Sequence, residues 1–101
     1  IKGCDIAAHN REPVRKKHFL QKIDSELGKF LKKRTDKLRI AITADHSTCS
    51  KEGAHIDDPV PVLLCGHGIK SDSVNQFDEH EVLKGELGRF HMYQLWDRFF
   101  E

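Results

Sequence analysis

Two short segments of the chain carry side chains of the types that bind metal ions. Asp5 and His9 stand in the first segment, and Asp45, His46 and His55 stand in the second. Carboxylate and imidazole ligands in combination suit Zn²⁺ or Mn²⁺. Two such ions about 3.5–4 Å apart stabilise both the attacking and the leaving oxygen of a phosphoryl transfer. The five residues therefore predict a two-metal site for phosphate chemistry.

Each of these residues also has an ordinary structural interpretation. Asp45 precedes Ser47 and Thr48, which is typical of a turn or a helix cap. Asp5 with His9 is a weak signal by itself, and His55 alone would be structural. The metal hypothesis therefore depends on the five residues lying together. The histidines without a partner pattern are interpreted as surface or core residues: His18, His67, His80 and His91.

A strand, a helix and a second strand are predicted to position the two acidic residues. Residues 1–4 resemble the end of a strand, and apolar residues at helical spacing predict a helix from Pro13 to about residue 33. Residues 38–44 are largely apolar and β-branched, which indicates a buried strand. A βαβ unit makes its strands parallel, so Asp5 and Asp45 are expected at the same sheet edge.

The rest of the chain completes an α/β pattern with a mostly parallel sheet. Residues 35–37 are predicted to end the long helix, and residues 47–58 to form a polar loop of functional length. Residues 60–65 are the third strand, although Pro61 disfavours a central ladder position. Residues 79–83 and 88–100 are expected to be helical in part.

Composition indicates a globular domain and excludes several classes of protein. The chain has 101 residues and a formal net charge of +1. This nearly even balance of acidic and basic residues does not require nucleic acid or an anionic membrane as a partner. No apolar run has membrane length, and no signal segment is recognisable. Cys4, Cys49 and Cys65 form no Cys-x-x-Cys pair, which favours a reducing cytoplasm. The start at Ile1, within a strand-like stretch, predicts missing residues upstream.

The motifs resemble one known family over nearly the whole chain. The run Asp45-His46-Ser47-Thr48, then His55, then Asp58-Pro59-Val60-Pro61-Val62-Leu63 is similar to the C-terminal part of the archaeal-type, cofactor-independent phosphoglycerate mutases. These enzymes belong to the alkaline phosphatase superfamily. Residues 1–9 resemble the family's Asp-x-x-x-His segment, and residues 85–90 its closing helices. The resemblance implies part of an alkaline-phosphatase-like core, with a mostly parallel sheet flanked by helices.

The resemblance also implies a metal-dependent reaction. Asp5, His9 and His55 would hold one divalent ion, and Asp45 with His46 would hold another; the ions would be Mn²⁺, Zn²⁺, Co²⁺ or Mg²⁺. The family interconverts 3-phosphoglycerate and 2-phosphoglycerate through a phosphoserine. Its nucleophilic Ser, a further Asp and most of the substrate-binding residues lie upstream and have no counterpart here. The chain alone is therefore expected to be inactive.

The chain departs from the family pattern in three places, and two alternatives stay open. Cys49 stands where the family usually has Pro, Ala8 stands where it has Gly, and the Gly common before the last helix is replaced near His91. These departures leave open the geometry of the loop from Ser47 to His55 and the choice of metal. The same metal site would serve another phosphohydrolase of the superfamily or a phosphopentomutase. A non-catalytic metal-binding module is the alternative from a different class. The expected partners are a phosphoglycerate, the missing upstream part of the chain and, in a homo-oligomer, a second copy.

Overall fold

The computed structural model describes residues 1–34 and 37–100, which divide into two compact units. The first unit contains residues 1–34 and 46–59, and the second contains residues 37–45 and 60–100. The helices and strands in chain order are α1 (Gly3–His9), α2 (Pro13–Lys33), β1 (Arg39–Ile42), β2 (Ser47–Cys49), β3 (Ala54–Ile56), β4 (Leu63–Gly66) and α3 (Leu95–Phe99).

The long helix α2 confirms the prediction made from apolar spacing. It begins at Pro13, whose fixed φ and missing N–H suit the first turn. It ends at Lys33, and the two lysines of its last turn complement the partial negative charge of the helix C-terminus. The predicted break at residues 35–37 falls largely on Thr35 and Asp36, which lie outside the described residues.

The first four residues correct the prediction of a strand. Gly3–His9 is a helix, so the proposed βαβ unit does not form. Tertiary packing explains the difference, because Ala7 and Ala8 are 2% and 0% exposed and α1 packs against α2. Their small side chains let the two helices approach closely. Asp5 thus lies within a helix instead of at the end of a strand.

The segment predicted as a loop, residues 47–58, contains an antiparallel hairpin. Strand β2 pairs with β3, and Thr48 lies opposite His55. The turn is closed by the Gly53 N–H, which donates to the Cys49 carbonyl at 2.7 Å. Gly53 has a φ of +69°, a conformation that glycine adopts at little cost. The loop prediction is therefore wrong for six of its residues, Ser47–Cys49 and Ala54–Ile56.

The second unit is built on an antiparallel pair, in which β1 pairs with β4. Ile42 lies opposite Leu63, so the third predicted strand begins beyond Pro61, which has no N–H for a ladder. Arg39 of β1 donates from Nε to the His67 carbonyl at 2.7 Å and from Nη1 to the Phe99 carbonyl at 2.9 Å. Both sheets that the described residues form are antiparallel, and a mostly parallel core stays a prediction.

The closing segment is helical in short pieces, as predicted in part. Two 3-10 helices, Glu81–Lys84 and Met92–Gln94, precede α3. The apolar residues among those described are mostly accessible: Ala7 and Ala8 are the buried ones, whereas Leu83, Tyr93 and Trp96 are exposed. None of the helices in the described residues has the length and apolarity that a membrane span requires.

Candidate metal centre

Four of the five predicted ligands come together in the first unit, around the carboxylate of Asp5. Asp5 Oδ1 lies 3.1 Å from His9 Nε2 and 3.8 Å from His46 Nε2. His9 Nε2 lies 3.1 Å from His55 Nε2. A helix and a hairpin, instead of two parallel strands, bring these four residues together, and their role as metal ligands stays a prediction.

The local structure explains why each side chain faces this cluster. Asp5 and His9 are four residues apart on α1, a spacing that places both on one face of a helix. His55 stands on β3, and His46 directly precedes β2. The rings of His46 and His55 stack with centroids 3.7 Å apart, and the His9 ring is tilted against His55 at 4.9 Å. The hairpin therefore carries two imidazoles to the face of α1 that holds Asp5 and His9.

The spacing of the donor atoms fits a divalent cation. Ligand atoms of Asp5, His46 and His55 lie within 4.8 Å of one another. A tetrahedral Zn²⁺ with bonds of about 2.0–2.1 Å separates its ligand atoms by roughly 3.3 Å. The distances from His9 Nε2 to Asp5 and His55 are both 3.1 Å, close to that value. Lone pairs at such distances repel unless a proton or a cation lies between them, so the donor set suits a metal ion.

The side chains of the cluster are partly exposed to solvent. The side chains of Asp5, His9 and His46 are 29%, 38% and 30% exposed. Asp5, His9 and His46 would hold a metal ion here, and an ion with a position left for water or substrate would supply the chemistry of a catalytic site instead of a closed structural one. The geometry therefore suits a site where a phosphate oxygen or a water completes the coordination.

Asp45, the fifth predicted ligand, is exposed and belongs to the second unit. It is not a member of the group formed by Asp5, His46 and His55. His46, which the resemblance assigned to the second ion, lies with the residues assigned to the first. The division of the five residues between two ions stays a prediction.

Two residues that the sequence did not single out contact the ligands. The Gly53 carbonyl lies 2.8 Å from His9 Nδ1, and the Thr48 hydroxyl lies 3.2 Å from His46 Nδ1. Metal-binding histidines regularly donate their second ring N–H to such oxygens. A prediction of the β2–β3 hairpin, in which Thr48 lies opposite His55, would have drawn attention to Thr48. The polar residues of this segment led to the prediction of a loop instead.

The comparison with known families defines the class of protein. Residues 1–95 match the family model described as the Metalloenzyme superfamily. The chain therefore belongs to the Metalloenzyme superfamily, whose members use divalent metals. This membership agrees with the carboxylate and imidazole donors that lie together around Asp5.

The relatives narrow that class and confirm the resemblance. The chain is 42% identical over 87 residues to a 2,3-bisphosphoglycerate-independent phosphoglycerate mutase of Picrophilus torridus, covering 86% of the chain and 21% of that enzyme. It is 36% identical over 96 residues to the enzyme of that name from Pyrococcus horikoshii, covering 94% and 23%. A solved protein structure from Pyrococcus horikoshii matches with a TM-score of 0.90 and 34% identity, covering 95% of this chain and 29% of that one. The chain thus spans about a fifth of the length of these curated relatives.

Proposed function

We propose that the complete protein containing this chain is a metal-dependent, 2,3-bisphosphoglycerate-independent phosphoglycerate mutase. It would interconvert 3-phosphoglycerate and 2-phosphoglycerate through a phosphoserine intermediate. The observation that carries the proposal is the grouping of ligand atoms of Asp5, His46 and His55 within 4.8 Å of one another, with His9 Nε2 3.1 Å from both Asp5 and His55. The similarity to archaeal mutases supports the choice of substrate.

In this proposal the chain supplies five ligands for two divalent ions: Asp5, His9, Asp45, His46 and His55. Bound divalent ions would neutralise phosphate charge and favour the alkoxide form of a serine nucleophile. The Asp5 carboxylate reduces the charge that the imidazoles alone would leave on such an ion. The partial exposure of Asp5, His9 and His46 leaves room for a phosphate oxygen beside them.

The nucleophile and most of the substrate-binding side chains would come from other parts of the complete protein. The chain covers 21–23% of its mutase relatives, which supports a role as one portion of a larger protein. From the resemblance of its motifs, we propose that it is the C-terminal portion of the metal-binding domain. Apolar side chains that stay exposed on α2, among them Leu20, Phe30 and Leu31, would be covered by that remainder. We expect this chain by itself to have no mutase activity.

A cytoplasmic location completes the proposal. Cys4, Cys49 and Cys65 are free thiols, which is the usual state of cysteine in a reducing compartment. Glycolysis and gluconeogenesis, in which the proposed substrates are intermediates, proceed in that compartment.

A coupled assay tests the proposal on the complete protein. The reaction contains 3-phosphoglycerate and Mn²⁺ and no 2,3-bisphosphoglycerate, and a parallel sample receives a chelator. We expect turnover that the chelator abolishes and that added Mn²⁺, Zn²⁺, Co²⁺ or Mg²⁺ restores. Absence of turnover with every one of these ions would contradict the mutase assignment. Phosphodiester and phosphopentose substrates would then test the other reactions of the superfamily.

A double variant tests whether the metal site serves catalysis. Changing Asp45→Asn together with His46→Ala removes two proposed ligands. Loss of ligands to a catalytic ion is expected to lower the rate on the order of a thousandfold, because several kcal/mol of transition-state stabilisation disappear. Turnover equal to that of the unmodified protein would show that the ions have no catalytic role and would favour a non-catalytic metal-binding module.

A further inference from the structure

Both histidines nearest to Asp5 face oxygens of the β2–β3 hairpin with their Nδ1 atoms. His9 Nδ1 lies 2.8 Å from the carbonyl oxygen of Gly53. His46 Nδ1 lies 3.2 Å from the hydroxyl oxygen of Thr48. A carbonyl oxygen only accepts hydrogen bonds, so the contact with Gly53 requires the proton of His9 to be on Nδ1. The neutral ring then presents an unprotonated Nε2.

The opposite ring nitrogens of the two histidines face the carboxylate. His9 Nε2 lies 3.1 Å and His46 Nε2 lies 3.8 Å from Asp5 Oδ1. Each imidazole is thus held at Nδ1 by the hairpin and directed at the cluster by Nε2. The Gly53 carbonyl holds His9 in this orientation. The Thr48 hydroxyl at 3.2 Å and, at a longer 3.4 Å, the Ser47 carbonyl hold His46 in the same orientation.

Thr48 is placed to act on two members of the cluster at once. Besides the contact with His46, its hydroxyl lies 3.5 Å from Asp5 Oδ1, at the long limit of a hydrogen bond. A hydroxyl accepts and donates at the same time, so it can accept from His46 Nδ1 and donate to the carboxylate. Thr48 stands opposite His55 in the hairpin, which ties its position to that of a third imidazole.

Gly53 reaches His9 because it has no side chain. A Cβ at Gly53 would lie 2.6 Å from the backbone carbonyl oxygen of His9, closer than real Cβ contacts allow. Its φ of +69° is a second reason why other residues are strained there. An alanine would push the turn away from the end of α1 and lengthen the hydrogen bond to the His9 ring.

We propose that Thr48 and Gly53 are positioning residues that fix His46 and His9 as Nε2 ligands of the metal. The inference rests on the proposed metal site and adds the means by which the ring orientation is set. Partners of this kind change metal affinity by about 10–100-fold when they are removed. In this proposal the β2–β3 hairpin supplies the hydrogen-bond partners that orient the metal-binding histidines.

Isosteric variants of Thr48 test the first half of the proposal in the complete protein. Thr48→Val removes the hydroxyl and keeps a β-branched side chain suited to a strand. Thr48→Ser restores the hydroxyl and is the matched control. We expect Thr48→Val to weaken Zn²⁺ binding tenfold or more in calorimetric titration and Thr48→Ser to recover most of the loss. Equal affinity for the unmodified protein and Thr48→Val would overturn the role of Thr48.

Histidine ¹⁵N spectra of the Zn²⁺-loaded protein test the ring orientation directly. We expect His9 and His46 to carry a proton on Nδ1 and to bind through Nε2; ligation of either ring through Nδ1 would overturn the proposal. Gly53→Ala should weaken Zn²⁺ binding tenfold or more. Gly88→Ala is the control, because Gly88 has a similar φ of +67° but open space around it. Equal losses of Zn²⁺ affinity in the two variants would overturn the role of Gly53, because Gly88 belongs to the second unit and the cluster to the first.

The two proposals fail in different ways. If the unmodified protein binds no Zn²⁺, the metal site itself is refuted. If it binds Zn²⁺ and the Thr48 and Gly53 variants bind equally well, the metal site stands and the positioning role of the hairpin is refuted.

Discussion

Replacing Asp5 by asparagine perturbs the cluster at the atom where most of its contacts meet. Asp5 Oδ1 lies within 3.8 Å of His9 Nε2, His46 Nε2 and the Thr48 hydroxyl. Asparagine has nearly the same shape and retains one oxygen, but it carries no charge. Asp5→Asn therefore isolates the electrostatic contribution of this ligand from its packing.

The size of the effect follows from the number of ligands. Structural zinc sites with four ligands bind with roughly 10–16 kcal/mol, so one ligand accounts for about 2.5–4 kcal/mol. Because the amide oxygen is a weak replacement, we expect a loss of about 2–3 kcal/mol in Zn²⁺ binding. At about 1.4 kcal/mol per factor of ten, this corresponds to an affinity reduced roughly 30–150-fold.

Calorimetric titration of the complete protein with Zn²⁺ measures this loss. Asp24→Asn is the matched control, because Asp24 is exposed on α2 and undergoes the same change of charge. We expect Asp24→Asn to bind Zn²⁺ as the unmodified protein does. Equal affinities for Asp5→Asn and Asp24→Asn would refute the assignment of Asp5 as a ligand.

Three further predictions concern the two units separately. The Asp72 carboxylate accepts the Glu86 backbone N–H at 3.0 Å, and such backbone hydrogen bonds lower the pKa of Asp72 below its ordinary 3.8. The Asp72 carboxylate therefore contributes stability above pH 3.8, and this contribution is lost as the pH falls through the lower pKa of the folded state. The denaturation midpoints of Asp72→Asn and of the unmodified protein should therefore converge in acid. Arg39→Lys loses the geometry that holds the Phe99 carbonyl and should destabilise by about 1–3 kcal/mol, with faster amide exchange in α3. Gly28→Ala, in α2 with open space at its Cβ, should raise the free energy of unfolding by about 0.5–1 kcal/mol in urea titration.

Local patterns predicted one element of the fold well. The apolar spacing of α2 extends over 21 residues, so helical periodicity dominates its sequence. The stretch at residues 1–4 is too short to show a period, and its helical state depends on the packing of Ala7 and Ala8 against α2. Intrinsic helix and strand propensities predict a segment's structure poorly where tertiary contacts determine it.

The pairing of the strands could not be predicted from local sequence patterns, because it depends on contacts between segments that are distant in the chain. The strand at 39–42 was recognised from its β-branched residues, but its expected parallel partner, residues 1–4, lies at the start of helix α1. The strand pairs instead with β4, in antiparallel orientation. The β2–β3 hairpin was missed because three-residue strands with polar side chains resemble a loop.

The proximity of four candidate ligands did not depend on the elements that were predicted to carry them, and their role as ligands stays a prediction. Asp5, His9, His46 and His55 were chosen for their chemistry, and metal-binding residue types are visible in a sequence whatever fold brings them together. Thr48 and Gly53 were not chosen, because a hydroxyl or a backbone carbonyl acquires its role from a distance to a ring nitrogen. Such a distance exists only after folding.

Anomalous diffraction from crystals of the complete protein grown with Mn²⁺ would locate a metal ion beside Asp5. We expect an anomalous peak bonded to Asp5 Oδ1 and to Nε2 atoms of the neighbouring histidines, at distances of roughly 2.0–2.3 Å. Well-ordered Asp5, His9, His46 and His55 side chains with no anomalous peak among them, at saturating Mn²⁺, would contradict this expectation.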